Sequence, residues 1–360
     1  MKLPILRNII AAALTVGAQL LAAAPAVGTL ETVAELPIRP GNVSATVDGR
    51  VFATVHPLGV PSGLQLIEIT GPDSFRPWPS AELQSNASNR GDSRIDAPLG
   101  ITQDGKGRLW ITDMGLNIGK SRLWGFDIAT GKLLKRIDLP STVAPKDSFI
   151  QDLVVDAERG WIYLSDINNP ALLALRIDDG QIRRFQGHSS LQAEDGVEMR
   201  VGGKPTLFDG KPAKVGVNPI GLSADGETLF FGAMSGTHWY AVPTRLLREG
   251  SDADVAAAIR MIGRKPLSDG ATTDAAGNHF FTNLNENGID WLNSRGELQP
   301  LVRNPLLNWP DSVQFGAESW LYISVNQLHK TQAFTGACDQ GTPPYRILRV
   351  WTGTAGAVRR

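Results

Sequence analysis

Leu99-Gly100-Ile101-Thr102-Gln103-Asp104-Gly105, followed two residues later by Arg108-Leu109-Trp110-Ile111-Thr112-Asp113, is the stretch on which the fold turns. Asp-Gly between two β-rich runs is a strong hairpin signal, because Gly accepts positive φ. The same pattern, with Gly near the Asp, recurs at Val43–Thr54, Asp152–Asp166, Ile220–Ala233 and Gly270–Asn283. A worn copy spans Ser312–Ser324. The equivalent positions are Asp48, Asp104, Asp156, Asp225, Asp274 and Phe315.

A third β-like run follows in most copies, as in Arg122–Asp127, Ala171–Arg176 and Gly288–Leu292, and a fourth follows in Lys132–Ile137. Four antiparallel strands per unit, repeated at about 40–70 residues, predict propeller blades. The expected fold is therefore all-β: a six-bladed β-propeller with four-stranded antiparallel blades, forming a single domain over 27–360. A ring needs closing, and pairing Leu30–Leu36 with the segment Tyr345–Val350 in one blade would remove the free sheet edges. Asp252–Ile262 has helical composition and is expected between blades four and five. His188–Lys214 reads as a long loop or small flap, and Ala81–Asp96 as a polar loop.

Composition narrows the function. The 360 residues carry 35 Lys+Arg against 36 Asp+Glu, so there is no basic surplus to neutralise nucleic-acid phosphates. With 42% hydrophobic residues and little net charge, the chain is not of the disordered class. Cys338 stands alone, which excludes an intrachain disulfide and a Cys-rich metal site; it is expected to be a semi-buried small residue. Residues 1–26 read as a signal peptide: Lys2 and Arg7 precede an apolar run, and Ala24-Pro25-Ala26 supplies small residues at the cleavage site. The expected location is secreted or periplasmic. The expected partner is a small-molecule ligand, with no nucleic acid, no membrane after cleavage, and a monomeric state.

Leu109-Trp110-Ile111-Thr112-Asp113-Met114-Gly115, Ile162-Tyr163-Leu164-Ser165-Asp166 and Lys265-Pro266-Leu267-Ser268-Asp269-Gly270 carry a family likeness. So do Phe231-Gly232-Ala233-Met234-Ser235-Gly236 ahead of Tyr240, and Trp309-Pro310-Asp311-Ser312-Val313. Over roughly 41–326 the chain resembles the major royal jelly/yellow protein family, in its bacterial branch. The resemblance implies a secreted six-bladed propeller with a central ligand cavity. It leaves the activity open, since relatives include dopachrome-converting enzymes, amine-binding salivary proteins and nutritive proteins. More distantly the chain is similar to gluconolactonase/regucalcin-like propellers. That likeness implies one divalent cation, calcium or similar, on the axis, with Asp269 as a ligand; Asp152, at another inner-strand start, is the second candidate metal ligand. The chain departs from that pattern at Ile220, where those proteins have Asn before Gly-Leu, and blade one offers no Glu at the start of its inner strand.

In a propeller the innermost strands converge, so polar residues at their starts are the site candidates. These starts contain Asn42, Leu99-Gly100, Gln151-Asp152, Asn218, Ser268-Asp269 and Pro310-Asp311. Three carboxylates, Asp152, Asp269 and Asp311, would meet at one mouth. Like charges so placed need a cation or protons to relieve them. A carboxyl titrating near neutrality can serve as a general base, so Asp269 and Asp152 are the candidate catalytic residues. Asp311, Asn218, Gln151 and His238 are the candidate ligand-binding residues. The competing reading is that each Asp only ties neighbouring blades through backbone N–H groups. Asp113, Asp166 and Asn283 are expected at the opposite end, as turn caps. The expectation for function is action on a small polar molecule, in its concrete form lactone hydrolysis with a cation polarising the carbonyl. The alternatives are a non-catalytic small-ligand binder, or a tautomerase or isomerase acting on a quinone-like substrate.

Expressed from its first residue in a Gram-negative host, the protein should be recovered from the periplasm beginning at Val27. Intact mass and N-terminal sequencing check this; retention of residues 1–26 would contradict it.

Overall fold

The computed structural model describes residues 23–86 and 88–357, so the signal-peptide reading falls almost wholly outside the described residues. Six four-stranded antiparallel sheets follow one another around an axis. Their first, innermost strands are Pro40–Ala45, Pro98–Gln103, Ile150–Asp156, Val217–Leu222, Ala271–Thr273 and Pro310–Phe315. The expected six-bladed propeller is the observed fold. Its ring closes as expected: Leu30–Leu36 is the outer strand of blade six, with Leu30 opposite Val350 and Leu36 opposite Tyr345.

The core lies between blades, and this explains the composition of the strands. Successive side chains point to opposite faces of a sheet. In Arg108–Asp113, Leu109 and Ile111 pack with Phe52 and Leu66 of blade one. Trp110, between them, packs with Leu153 and Leu164 of blade three. Both faces are covered, so the second strands read as continuous apolar runs; Trp161–Asp166 is buried throughout.

Near the axis the first strands come too close for ordinary pairing. In five blades the register between first and second strands shifts at the same place, as between Pro98 and Ile101 or between Ile150 and Leu153. A bulge of this kind leaves backbone N–H groups unpaired and re-aims side chains. A hydroxyl on the second strand meets the need. Thr54 Oγ1 accepts from Asn42 N at 3.0 Å and donates to Leu99 O of the next blade at 2.7 Å. Thr112 Oγ1 likewise accepts from Gly100 N (2.8 Å) and donates to Gln151 O (3.2 Å). Ser165 Oγ donates to Asn218 O at 2.9 Å. Thr282 Oγ1 accepts from Asp269 N and Gly270 N, and Ser324 Oγ accepts from Ser312 N. Between blades six and one, Ser312 Oγ accepts from Val43 N at 2.9 Å. Glycine is needed where the strands nearly touch: a Cβ on Gly270 would stand 2.6 Å from Asp311 O.

Three details differ from the sequence reading. The expected helical segment is helical only over Asp252–Ala258, a second short helix, Thr244–Glu249, precedes it, and both lie inside blade four, because Arg260–Arg264 returns to pair with His238–Pro243. That last strand is short, with no buried side chain, so no apolar pattern marked it. Asp113 and Asp166 lie at the same end as the first-strand starts, not the opposite one, since antiparallel pairing sets Pro98 opposite Asp113 and Ile150 opposite Asp166. They are nonetheless structural: the Asp113 carboxylate accepts from Ala97 N, Gly115 N, Arg122 and Trp124. Cys338 is exposed rather than semi-buried. The flap at 188–214 contains two small hairpins, Arg200–Pro205 and Leu207–Pro212.

Replacing Thr112 with Val keeps the shape but leaves Gly100 N–H and Gln151 C=O without their shared partner. A loss of about 1–3 kcal/mol in unfolding free energy is expected, read from urea unfolding.

Candidate active site

Asp269 is the point at which the blades meet. Its carboxylate accepts N–H bonds from three of them: Gln151 Nε2 of blade three at 2.9 Å, Asn218 Nδ2 of blade four at 2.6 Å, and Trp309 Nε1 at the start of blade six at 2.8 Å. The bond from Gln151 reaches past blade four, which places all these side chains on the axis. Trp309 holds its indole there with a left-handed backbone, φ 61°.

Asp311 and Asp152 flank this centre. Asp311 accepts from Asn326 Nδ2 on Oδ2, while its Oδ1 has no partner. His56 Nε2 stands 3.9 Å from Asp311 Oδ2. His56 Nδ1 accepts from Leu58 N at 3.1 Å, so the neutral ring carries its proton on Nε2. Behind them Arg39 is bound by Asp339 and Tyr345. Asp152 Oδ1 accepts from Leu153 N at 2.8 Å, and Ile220 N–H adds a second backbone bond.

The two faces of the ring treat these carboxyls differently. On the face of the first-strand starts, a cap seals them. Trp309 stacks on His329 and meets Phe334 edge-on. Met199 and Val201 of the flap pack with Trp309, Leu267, Leu284 and Leu328. Asp209 N of the flap donates to Ala333 O, and Glu194 clasps Thr237 and His238. From the other face an axial channel of about 100 Å³ runs inward past Gln314, Thr272, Thr102 and Gln103 to Asp152. Gly356 and Ala357 lie at its wall. Asp152 is 9% exposed, and Asp269 and Asp311 are 1% exposed.

Burial disfavours charge, and it acts on all three carboxyls. Asp152 is pushed up to about 7, by burial first and then by the neighbouring Asp269 charge, against the pull of its two backbone bonds. Asp269 is pushed up to about 6 by burial, while bonds from Trp309, Gln151 and Asn218 pull it back. Asp311 is raised well above the usual carboxyl range by burial and by Asp269 and Asp152. Burial and then Arg39 lower His56 to about 3. His56 is therefore neutral, and its 3.9 Å contact with Asp311 is not an ion pair. At neutral pH the cluster holds protons on some carboxyls and charge on others, which is the arrangement an acid–base pair requires.

The structure brings Asp269, Asp152, Asp311, Asn218 and Gln151 together. It does not bring His238 to them: His238 Nδ1 contacts Glu194 at 2.6 Å, and Arg264 lies against the other ring nitrogen. His238 anchors the flap. Sequence reading passed over His56, Asn326 and Arg39. A signal existed for two of them, since His56 and Asn326 each directly follow their blade's second strand, Val51–Val55 and Trp320–Val325. The divalent cation implied by the distant resemblance finds a poor donor set. Asp269 already accepts three N–H bonds, and among the described residues no three His, Cys, Asp or Glu side chains are placed to hold one ion.

Residues 98–350 match the family described as major royal jelly protein. The chain belongs to that family. The protein yellow of Drosophila melanogaster is 26% identical over 220 residues, which cover 56% of this chain and 40% of yellow. The chain therefore spans well under two thirds of the length of the yellow proteins it matches. The L-dopachrome tautomerase yellow-f of the same fly is 24% identical over 280 residues, covering 69% of this chain and 63% of that protein. Among solved structures, a gluconolactonase from Xanthomonas campestris superposes with a TM-score of 0.56 at 14% identity, covering 89% of each chain. A luciferin-regenerating enzyme superposes with a TM-score of 0.57 at 11% identity, covering 91% of this chain and 97% of its own. At such identities the structural likeness shows the propeller fold alone. Membership of the royal jelly family agrees with the resemblance read from the sequence motifs.

Raising the Asp311 pKa by burial has a definite consequence for stability. Its folded pKa is raised, so above about pH 4 the unfolded chain binds fewer protons there than the folded one, and stability falls as pH rises. Asp311→Asn removes this liability. Its thermal midpoint relative to wild type should be higher at pH 8 than at pH 5, by a few degrees. Comparison at each pH cancels the histidine contributions, which have the opposite sign. A pH-independent difference would contradict the assignment.

Proposed function

We propose that this royal jelly family protein is exported and acts on a small polar molecule admitted through the axial channel, moving a proton from one atom of it to another. The reading makes it a tautomerase or isomerase. One observation carries it: of the two buried carboxyls that line the channel, Asp104 is tied up by Arg108 and Trp110, while Asp152 titrates near neutrality beside a further carboxyl, Asp269. As carboxylate, Asp152 takes a proton from a carbon or hydroxyl next to a carbonyl; the C–H or O–H electron pair moves into the conjugated system. The resulting carboxylic acid returns the proton at the other end of that system. Atoms and charge balance without an oxidant or a second substrate. Asp269 tunes this step rather than performing it, because Gln151, Asn218 and Trp309 hold it away from the channel. The tautomerase name of yellow-f supports the same class of chemistry.

Lactone hydrolysis with an axial cation is less well supported, because the donor set does not suit the cation. Pure binding is the remaining alternative, and substitution at Asp152 separates it from catalysis.

Asp152→Asn should lower the rate of L-dopachrome conversion, followed by loss of its visible absorbance, at least about a hundredfold. In wild type, kcat/KM should rise with pH through about 7, since the base form is the carboxylate. Rates equal to buffer alone would remove quinone-like substrates from this reading. Equal rates for wild type and variant would remove Asp152.

A further inference from the structure

A second cavity opens beside the axis rather than on it. It lies between blades one and two on the capped face and encloses about 570 Å³, within the range of roughly 300–1,000 Å³ that small-ligand sites occupy. Each blade contributes an exposed apolar side chain to it. Val60, on the loop after Val51–Val55, is 73% exposed, and Leu116, on the loop after Arg108–Asp113, is 50% exposed. Leu64 adds to the blade-one wall. Large apolar side chains left in water on two walls of one cleft mark a place where something else covers them.

The charge in this cleft is equally specific. Its lining holds two charged residues, Arg90 and Asp96. Asp96 is buried, and both its oxygens are taken by Asn117, through N at 2.8 Å and Nδ2 at 3.1 Å. Arg90 is exposed. One of its nitrogens donates to Asn117 Oδ1 at 2.6 Å, and among the described residues no carboxylate pairs with it. His56, at the inner end, is neutral. The cleft thus offers one free guanidinium edge above apolar walls. A planar guanidinium edge matches a carboxylate through two parallel N–H bonds. A single such group suits a monoanion better than a phosphate dianion, which draws on several donors.

We propose that this cleft is a second binding site, for a small organic carboxylate with an apolar body. Arg90 holds the carboxylate at the mouth, and Val60, Leu64 and Leu116 enclose the ring or chain. The site is separate from the axial channel, but His56 is common to the cleft and to the buried cluster, standing 3.9 Å from Asp311. A ligand seated here therefore lies one side chain away from the axial carboxyls.

Phenylacetate and its uncharged isostere phenylacetamide are suitable probes, titrated into the mature protein by calorimetry. Phenylacetate should bind at one site at least about tenfold more tightly than the amide. Arg90→Gln should abolish that preference. Leu116→Glu, which places a like charge on the apolar wall, should weaken phenylacetate about tenfold. Both residues are exposed, so both variants should give the wild-type circular dichroism spectrum. Asp152→Asn should bind phenylacetate as wild type does, which keeps this site distinct from the proposed axial chemistry. Equal binding of acid and amide, an unchanged preference in Arg90→Gln, absence of binding by either probe, or loss of binding in Asp152→Asn would each overturn the proposal.

Discussion

The structure depends on how six strands can start within reach of one axis. Ordinary ladder pairing fails there, because neighbouring backbones crowd together and five of the six first strands bulge. The side-chain hydroxyls of Thr54, Thr112, Ser165, Thr282 and Ser324 bond the backbone that the bulges leave free, and three of them donate to the first strand of the next blade. Buried N–H and C=O groups left unpaired would each cost about 1–3 kcal/mol. The same small hydroxyl therefore satisfies the bulge and ties adjacent sheets. It also frees the residues beside it, Asn42, Asp152 and Asp311 among them, to occupy the axis.

Blade four is the exception, and it is instructive. Gly232 stands where the other blades carry the hydroxyl, and the Lys265 side chain passes through the space. Lys265 is buried and donates to Gly236 O and Pro266 O at 2.9 and 3.0 Å. Burial pushes its amine down to about 7, with Glu194 opposing. Glu194 belongs to the flap, so the blade that lost its hydroxyl is also the blade to which the cap is fastened. Local repair of the ring and closure of one face over the carboxyls share residues.

That closure sets the electrostatics. Sealing one end by Trp309, His329 and the flap keeps water from the carboxyls on that side, and the channel reaches only Asp152 from the other. Three carboxyls held in so little solvent cannot all ionise. They are a liability for folding at alkaline pH and the source of a proton donor and acceptor near neutrality. A group of this kind inside a cleft is a functional-site signature on physical grounds.

The sequence alone determined the ring. Six hairpins in register, a hydrophobic pattern covering both faces of each sheet, and complementary end segments admit few other closures, because period and turn chemistry are local properties of the chain. It also named Asp152, Asp269 and Asp311 as convergent, since each stands at the start of a first strand. Tertiary structure decided the rest. That Asp269 is saturated by three N–H donors while Asp152 faces the channel depends on groups as far apart in the chain as Gln151 and Trp309. Distances across an axis leave no trace in spacing along it. His238 was counted among the ligand-binding candidates and proved instead to anchor the flap from blade four, because its partner Glu194 sits in a loop whose path no periodicity describes. Burial, which sets every charge in the cluster, exists only once the ring has closed.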